Sequence, residues 1–491
     1  MIAPIMLTSF SLENYRAFLE KTTVELRPLT LLFGYNNVGK SALIRALALM
    51  ADAARSSGRG VLDLASDAAR ECDFDDLLSR SSGREKLRLG LSFQEGENIE
   101  VEIAQDLRGK RLFVSDLRIS QEPSPPEGPS LVSAQWIPVG PSGETPGYEL
   151  FVDDCPAGKT ELRFTSLAPT KLDVWPHQAA DKNGIDEQNT RHEAANEMFV
   201  RAARRVDNMG RHFQWLGSLR RYPPRYGRYL GDPPPRMGPD GAGAAEILAY
   251  DKLDGGTLLT EVSGWYERCF KRRIDVDQSS DKRFSITLEP IDVATKRQVN
   301  IADTGEGMAQ VLPVLVAAAM ARQRHPWDRW TLAIEQPELH LHPAVHAPLA
   351  EHFCEIAAMD NPPRMLIETH SENFWDGFYR LRLRALENLE MSFVRRLGLL
   401  SHFPMLAALR GQIRRELLDL EAARDALQAK ASPAAGFESS ARQILHLITS
   451  SGYLISNESV TFIRNQHDEK WTLHDVEAVI AIFGEFLRQT D

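Results

Sequence analysis

The hydrophobic pattern of this chain changes its period along the sequence. Apolar and polar residues alternate over 86–120 and 131–175 between Gly and Pro turns, which predicts antiparallel strands. From about 188 to 216 the apolar spacing becomes helical. The apolar run 29–33 is strand-like and is followed after a Gly-rich loop by helical spacing without a breaker. This strand, loop and helix order marks the loop as the first candidate for chemistry.

The loop reads "GYNNVGKS", and Gly34, Gly39, Lys40 and Ser41 satisfy the pattern G-x-x-x-x-G-K-[ST] of a phosphate-binding loop. The glycines let backbone N–H groups face phosphate oxygens, the lysine places a cation on the β and γ phosphates, and the serine offers a hydroxyl to Mg²⁺. A Gly-rich turn with an incidental lysine is the alternative, which the strand and helix on either side disfavour. The candidate nucleotide-binding residues are Gly34, Asn36, Asn37, Val38, Gly39, Lys40, Ser41 and Ala42.

A second "GKT", at Gly158, Lys159 and Thr160, serves as a control for this pattern. Asp153 stands where the first glycine would be required, and the flanks alternate as in a hairpin. We therefore exclude a second nucleotide site.

Two further strand-like runs end in carboxylates. Residues 330–334 are followed by Glu335, Gln336, Pro337 and Glu338, and Pro337 should break the pattern before a helix begins. At the carboxyl end of a strand in an α/β sheet, Glu335 would face the phosphates and, with Ser41, hold Mg²⁺.

The run "MLI" at 365–367 repeats this arrangement with Glu368, Thr369 and His370. A neutral His370 would be able to contact a γ phosphate. His340 and His342 form an H-x-H pair that suits zinc, but the sequence offers no third ligand nearby, and we disfavour a zinc site.

Gly305 and Gly307 open an apolar helical run within 302–321. Glycines at the start of a helix leave a positively polarised site for an anion. A plain turn between a loop and a helix is the alternative for this weak pattern.

Composition narrows the class of protein. A chain of 491 residues suggests two or three domains, and its longest apolar run, 311–321, is shorter than the ~20 residues of a membrane helix. The N-terminus lacks the pattern of a secretory signal, and the four cysteines form no CxxC pair, so we expect a cytoplasmic protein with buried thiols and no membrane contact. The net charge of −11 disfavours a protein that coats nucleic acid with its whole surface.

A local basic track nevertheless lies between 191 and 236, where ten arginines, no lysine and four acidic residues occur together with Trp215, Tyr222, Tyr226 and Tyr229. Arginine and aromatic side chains together suit a nucleic-acid backbone and its bases. Arginines also serve phosphates, internal salt bridges and subunit contacts, so direct contact with DNA or other nucleic acid stays one of several interpretations.

The order of these motifs resembles that of ATPases with ABC-type heads, the group that includes RecF, the SMC proteins and the OLD nucleases. More narrowly, the chain is similar to the AAA-type ATP-binding proteins of bacterial phage-defence islands. In this resemblance "NYRAFLEKTTVELRPLTLLFGYNNVGKS" matches the opening hairpin and Walker A, "DTGEGMAQVLPVL" the signature segment, "LAIEQPELHLHP" the Walker B strand, and "LIETHSE" the strand of the switch histidine.

The resemblance implies a fold and a mechanism. The fold is an α/β ABC-type P-loop head, with a mixed sheet flanked by helices, an antiparallel β lobe, a helical insertion and a mainly helical C-terminal extension. The cofactors are ATP and Mg²⁺. Two heads of a homodimer or higher homo-oligomer would close on the nucleotide, with Gly305 and Gly307 acting in trans and His370 sensing the γ phosphate in cis.

Two positions depart from the family pattern. Gln336 stands where such heads usually carry the glutamate that acts as general base, and an amide orients water but accepts no proton. Three explanations stay open: assistance by Glu338 or Glu368, slow turnover, or an engineered trap. Ala309 stands where a signature serine is expected, so the trans contact would be weaker or made by the backbone alone. The candidate catalytic set is Glu335, Gln336, Glu338 and His370.

We predict four regions: 1–130 with Walker A and the β lobe, 131–245 with the insertion and the Arg-rich segment, 246–375 with the signature, Walker B and switch histidine, and 376–491 as a C-terminal region that contacts an effector. The last region reads as helical, with a strand pair at "SVTFIRN" and "KWTLHDV", and has neither the motifs of a Toprim nuclease nor an H-N-H-like cluster.

The leading hypothesis is an ATPase that acts as sensor or regulator of an anti-phage complex with a separate effector protein, a nuclease. The alternatives are a repair or recombination ATPase that binds DNA itself and a scaffold that holds ATP permanently.

Overall fold

The computed structural model describes residues 6–34, 38–55, 60–80, 83–106, 110–122, 129–138, 147–174, 182–291, 297–323, 330–359, 361–371, 373–374 and 460–464. The chain divides into two units, and the first, Met1–Gly377 with Thr461–Ile463, contains every site discussed below. The predicted C-terminal region lies outside the described residues, apart from one strand within "SVTFIRN", which is confirmed. No helix among the described residues is long and apolar enough to span a membrane.

The strands, in chain order, are β1 (Leu7–Glu13), β2 (Thr22–Glu25), β3 (Leu29–Phe33), β4 (Leu87–Phe93), β5 (Glu97–Gln105), β6 (Leu112–Gln121), β7 (Leu131–Ile137), β8 (Gly147–Val152), β9 (Cys155–Phe164), β10 (Pro169–Val174), β11 (Phe213–Leu216), β12 (Gly227–Arg228), β13 (Arg272–Gln278), β14 (Arg283–Pro290), β15 (Val299–Asn300), β16 (Thr331–Glu335), β17 (Arg364–Thr369) and β18 (Val460–Arg464). The α-helices are α1 (Lys40–Arg55), α2 (Phe74–Leu77), α3 (Lys182–Arg211), α4 (Ala244–Leu253), α5 (Thr257–Phe270), α6 (Glu306–Gln323) and α7 (Pro343–Ala357), and a 3₁₀ helix spans Ile301–Asp303.

The first sheet has nine strands in the order β10-β9-β8-β7-β6-β5-β4-β1-β2, all paired antiparallel. Its inward residues alternate with outward ones, as the sequence pattern predicted for 86–120 and 131–175. The sheet runs through position 130, so the first two predicted regions share it. The second "GKT" lies on β9, within the β8–β9 hairpin, and the hairpin prediction is confirmed.

The second sheet holds the candidate chemistry. Its order is β11-β16-β17-β3-β18, and the pairs β11–β16, β16–β17 and β17–β3 are parallel. β16 is buried along its whole length and β17 along nearly all of it, because helices cover such a sheet on both faces. The carboxyl ends of β3, β16 and β17 therefore meet at one edge, beside the start of α1.

One sequence prediction was wrong at the edge of this sheet. The helical pattern was extended to 216, but α3 ends at Arg211 and Phe213–Leu216 form β11. All four residues of β11 are buried beside β16. A short apolar run has no period of its own, so the spacing did not separate a helix end from a buried strand.

The core lies around α1, which is buried from Leu43 to Ala51. α3 crosses it closely at Gly210, where an added Cβ would lie 2.7 Å from the Cβ of Ala54 and 3.2 Å from the carbonyl oxygen of Ala51. Glycine is required there because the two helix backbones touch. The helix that begins at the phosphate-binding loop is thus buried along its middle and packed closely against α3 near its end.

A third, smaller sheet (β12-β14-β13, with β15 beside β14) accompanies α4, α5 and α6. The predicted apolar helix after Gly305 is confirmed as α6, which is buried over most of its length. Among the cysteines, Cys155 is exposed, so the expectation of buried thiols was wrong there. It follows the two-residue turn of the β8–β9 hairpin, where solvent reaches the chain. Cys72, Cys269 and Cys354 are half-buried.

Candidate functional site

The phosphate-binding loop leaves β3 and ends where α1 begins, at Lys40. Gly34 has φ +148° and Gly39 has φ +98°, backbone conformations that favour glycine. At Gly39 an added Cβ would also lie 2.8 Å from the ring of Phe18. Asn36 and Asn37 lie outside the described residues, while Val38 and Ala42 are half-buried on either side of the turn. Both glycines of the motif are therefore required by the backbone.

Lys40 is buried, and its ammonium group donates a hydrogen bond to the Gly34 carbonyl at 2.8 Å. Burial lowers the pKa of Lys40, and the nearby carboxylate of Glu368 partly offsets this. A buried cation at the start of a helix has little solvent to compete with an anionic ligand. Lys40 thus fits the phosphate-contacting role that the sequence predicts for it.

Ser41 contacts β17 directly. Its hydroxyl donates to Glu368 Oε1 at 2.9 Å, and the second oxygen of Glu368, Oε2, is buried without a hydrogen-bond partner among the described residues. Burial raises the pKa of Glu368, which the bond from Ser41 opposes and the charge of Glu335 reinforces. The Glu368 carboxylate is only 2% exposed and has one oxygen without a hydrogen-bond donor, so a nearby cation would stabilise it.

Glu335 ends β16 directly opposite Glu368 on β17. Both of its oxygens are engaged: Arg45 Nε donates to Oε1 and Arg45 Nη2 to Oε2, each at 3.0 Å. Arg45 lies on α1 four residues after Ser41, one helical turn further along the same face. Sequence reasoning missed Arg45, although the four-residue spacing after Ser41 was a usable signal.

Gln336 follows Glu335 in a left-handed backbone conformation, with φ +45°. Its N–H donates to the Glu368 carbonyl at 2.8 Å, and its own carbonyl accepts from Leu339 N–H at 3.1 Å and from Arg220 Nη2 at 2.6 Å. These three bonds hold a conformation that a residue with a side chain rarely adopts. The position of Gln336 is therefore fixed by its surroundings.

Glu338 is buried and holds the turn after β17. Its Oε1 accepts from the Thr369 hydroxyl at 2.6 Å and from the His370 N–H at 3.0 Å. His370 Nε2 lies 3.5 Å from Glu368 Oε1. Burial lowers the pKa of His370 and the charge of Lys40 lowers it further, which keeps the ring neutral at physiological pH.

The signature segment lies against the turn after β16. At Gly307, in the first turn of α6, an added Cβ would meet the His340 carbonyl oxygen at 2.7 Å. At Gly305 it would meet nothing within 4 Å. The two predicted signature glycines thus differ: one permits close backbone packing and the other faces open space. Ala309 is fully buried.

Arg220 connects α6 to the turn after β16. It is 7% exposed, and its Nη2 donates to the carbonyls of Glu335 (2.8 Å) and Gln336 (2.6 Å). The Arg220 carbonyl in turn accepts from Gln310 Nε2 of α6 at 3.0 Å. Burial lowers the pKa of Arg220 to about 10 despite the charges of Glu338 and Glu335, and the side chain remains a cation.

Most of the Arg-rich segment is engaged within the chain. Arg221 pairs with Asp240 and Arg225 with Asp303, while Trp215 is buried in β11. Further pairs are Arg201–Glu97, Arg205–Glu95, Arg205–Glu97 and Arg211–Asp207. Arg204, Arg228, Tyr222 and Tyr226 are the exposed members whose side chains make no hydrogen bond or ion pair with other described residues.

The two histidines of "HLHP" have local roles. The His342 side chain caps α7 by accepting from the Ala344 N–H at 3.2 Å, and His340 is exposed with φ +68°. Within the described residues, no group of three His, Cys, Asp or Glu side chains is arranged to hold a metal. Mg²⁺ bound with ATP needs no such group, because phosphates and water supply most of its ligands. Three groups would fit Mg²⁺·ATP: the ammonium of Lys40 for the phosphates, and the hydroxyl of Ser41 and the unpartnered oxygen of Glu368 for the metal.

Comparison with known proteins agrees with this geometry. The AAA ATPase domain family matches residues 6–172 and 259–374, which is more than half of the chain. No curated protein matches the sequence.

Among solved structures, the chain is similar to the SMC head domain from Thermotoga maritima, with 9% identity and a TM-score of 0.30 over 76% of this chain and 91% of that one. It is also similar to the recombination mediator RecF bound to ATP, with 10% identity and a TM-score of 0.30 over 76% of this chain and 95% of RecF. With its P-loop, its parallel sheet and its antiparallel sheet, the chain belongs to the AAA ATPase domain family.

Proposed function

We propose that this ATPase is a nucleotide-driven switch: it binds Mg²⁺·ATP, hydrolyses it slowly and closes on a second copy of itself while the nucleotide is intact. The convergence of the candidate residues at one edge of the parallel sheet supports this proposal. Residues from the ends of three neighbouring parallel strands and the start of α1 converge on one place, and they include a buried ammonium, a hydroxyl and a buried carboxylate with a free oxygen.

Each side chain has a distinct task. Lys40 and the first N–H groups of α1 bind phosphate, and Ser41 with a strand-end carboxylate, Glu335 or Glu368, holds the metal. When bound, Mg²⁺·ATP supplies the γ-phosphoryl group that is transferred to water. His370, neutral and next to Glu368, donates to or accepts from groups near the phosphate. Gln336 orients a water molecule but takes no proton from it, so we expect slow turnover.

Contacts across the head support the conversion of nucleotide state into movement. Arg220 joins the Walker B turn to α6 through Gln310, and Arg225 joins the same loop to Asp303, next to the signature glycines. We propose that a shift at the end of β16 is passed along these contacts to Gly305, the open position that a second head would meet.

The biological setting is inferred from family resemblance alone. We propose a regulator in a bacterial anti-phage complex, in the cytoplasm, with a separate effector protein that is a nuclease. The C-terminal region 376–491 would contact that effector. The gene next to this one tests the setting: a neighbouring nuclease supports it, and a neighbourhood of recombination genes favours the repair alternative.

Lys40→Ala tests the switch itself. The variant should bind ATP roughly tenfold to a hundredfold more weakly, because it loses a charged hydrogen bond to phosphate. It should also fail to dimerise on addition of Mg²⁺·ATP, as measured by light scattering. Lys159→Ala, in the "GKT" of the β8–β9 hairpin, is the matched control and should behave as wild type.

Two outcomes would count against the proposal. Unchanged ATP binding in Lys40→Ala would refute the nucleotide site. Lost ATP binding with unchanged assembly would refute the switch.

The alternative, a repair ATPase that contacts DNA directly, rests on the exposed Arg204, Arg228, Tyr222 and Tyr226. Neutralising Arg220 would not test it, since Arg220 is buried on backbone carbonyls. A variant with Arg204→Gln and Arg228→Gln would. DNA binding that falls steeply with salt in the wild type and is lost in this variant would favour the alternative.

A further inference from the structure

The two strand-end carboxylates, Glu335 and Glu368, differ in their hydrogen-bond partners. Both oxygens of Glu335 are paired, because the fork of Arg45 donates to each of them at 3.0 Å within a buried site. A bidentate pair of this kind is the strongest arrangement for a carboxylate and arginine, and it uses one acceptor position on each oxygen of Glu335. A metal that takes Glu335 as ligand would have to share that carboxylate with the buried guanidinium of Arg45, which repels a cation.

Glu368 has the complementary geometry. Its Oε1 accepts from the Ser41 hydroxyl at 2.9 Å, and Ser41 is the residue whose hydroxyl the motif assigns to Mg²⁺. Its Oε2 is buried and lacks a partner among the described residues, and the side chain as a whole is 2% exposed. A buried carboxylate oxygen without a donor is costly unless a cation completes it.

None of the neighbouring cations among the described residues donates a hydrogen bond to Oε2 of Glu368. Arg45 uses Nε and Nη2 on Glu335, and the Lys40 ammonium donates to the Gly34 carbonyl. His370 Nε2 lies 3.5 Å from Oε1, and the free oxygen, Oε2, accepts no hydrogen bond from it.

We propose that Glu368, rather than Glu335, is the carboxylate that holds Mg²⁺ together with Ser41, and that Glu335 is a positioning residue locked by Arg45. The inference rests on the proposed function, since it concerns the metal of the bound nucleotide. It moves the metal ligand from the Walker B strand to the neighbouring strand, two residues before the switch histidine. A metal held by Glu368 and the switch histidine, His370, would then both respond to the nucleotide at the end of the same strand, β17.

The test compares Glu368→Gln with Glu335→Gln by electron paramagnetic resonance of Mn²⁺ in the presence of a non-hydrolysable ATP analogue. Nucleotide binding in EDTA and the unfolding temperature of the nucleotide-free protein are measured alongside. Glu368→Gln should lower Mn²⁺ affinity by at least about tenfold, a loss typical even of outer-shell partners. It should leave nucleotide binding in EDTA unchanged and should not lower the unfolding temperature, because glutamine still accepts from Ser41 and removes a buried charge.

Glu335→Gln should do the reverse. It leaves Arg45 without its counter-charge, so the unfolding temperature falls while Mn²⁺ affinity stays within about threefold of wild type, less than the loss of even an outer-shell partner. If the single variant does not fold, the double variant Arg45→Gln with Glu335→Gln removes both charges and should bind Mn²⁺ as wild type does.

Loss of Mn²⁺ binding in the Glu335 variants, or its retention in Glu368→Gln, would overturn this inference. Failure of the wild-type protein to bind any nucleotide would instead refute the proposed function, so the two failures are distinct.

Discussion

Replacement of Arg220 by lysine tests whether this arginine connects buried parts of the chain or serves only as a surface charge. Arg220 donates from a single nitrogen, Nη2, to the carbonyls of Glu335 and Gln336. Lysine keeps the positive charge, but its ammonium nitrogen corresponds to Cζ of arginine, one bond short of Nη2, so we expect it to reach at most one of the two carbonyls. Its neighbour Arg221 is 62% exposed and pairs with Asp240, which makes Arg221→Lys the matched control.

The expected change in the free energy of unfolding follows from the hydrogen bonds of Arg220 that lysine does not replace. A hydrogen bond from a charged donor contributes about 1.5–3 kcal/mol, and one of two is lost. Arg220 Nε and Nη1 are buried without partners, and their removal returns part of this cost. We therefore expect Arg220→Lys to reduce the free energy of unfolding by about 1–2 kcal/mol. For Arg221→Lys we expect less than about 0.5 kcal/mol, since surface ion pairs contribute little.

Urea unfolding followed by tryptophan fluorescence measures this, because Trp215 lies on β11 beside β16 and Trp330 immediately precedes β16. ATP turnover of the same variants should fall in Arg220→Lys alone, since the Gln336 carbonyl loses a bond that fixes the turn. Equal unfolding midpoints for the two variants would refute the connector role. A midpoint shift without any change in turnover would show that Arg220 stabilises the fold but does not position the Walker B turn.

Three further predictions concern chemistry and packing. Gln336→Glu should raise the ATPase rate by about a hundredfold or more, the usual contribution of a general base, and an unchanged rate would mean that another residue accepts the proton. Gly307→Ala should lower the unfolding temperature and nucleotide-dependent assembly, because its Cβ would lie 2.7 Å from a backbone oxygen, whereas Gly305→Ala should leave the unfolding temperature unchanged. Iodoacetamide at pH 8 should modify the exposed Cys155 first, while burial raises the pKa of Cys269 to about 11, so that its alkylation stays slow until the pH approaches that value; comparable rates would contradict the burial of Cys269.

The sequence predicted the parts of the site that depend on local spacing. The loop, its lysine and serine, and the strand ends at Glu335 and Glu368 follow from short motifs with apolar flanks. Lys40 and Ser41 lie at the start of α1, and the two glutamates lie at the ends of their strands. The partners of these residues were not predictable in the same way. Which carboxylate Arg45 or Ser41 contacts depends on helix rotation and side-chain reach, and Ser41 is 327 residues from Glu368.

The role of Arg220 was likewise not predictable from the sequence. There it is one of ten arginines interleaved with aromatic residues, and composition does not separate a nucleic-acid contact from an internal or subunit contact. In the fold it is buried on two backbone carbonyls, which carry no signal in a side-chain pattern. The β11 strand was missed for a related reason, because only the neighbouring β16 decides that this run is extended.

The pairing of β3 with β17 has a consequence for how the protein is made. From β4 to β10 the antiparallel strands pair with their immediate neighbours in sequence, so that sheet is able to form as it leaves the ribosome. β3 emerges early but waits for β17, more than 300 residues later, and its edge is unpaired in the interval. The strand ends that form the candidate nucleotide site therefore come together only after β17 has been made, and a chain truncated before residue 364 would retain the strand meander without that site.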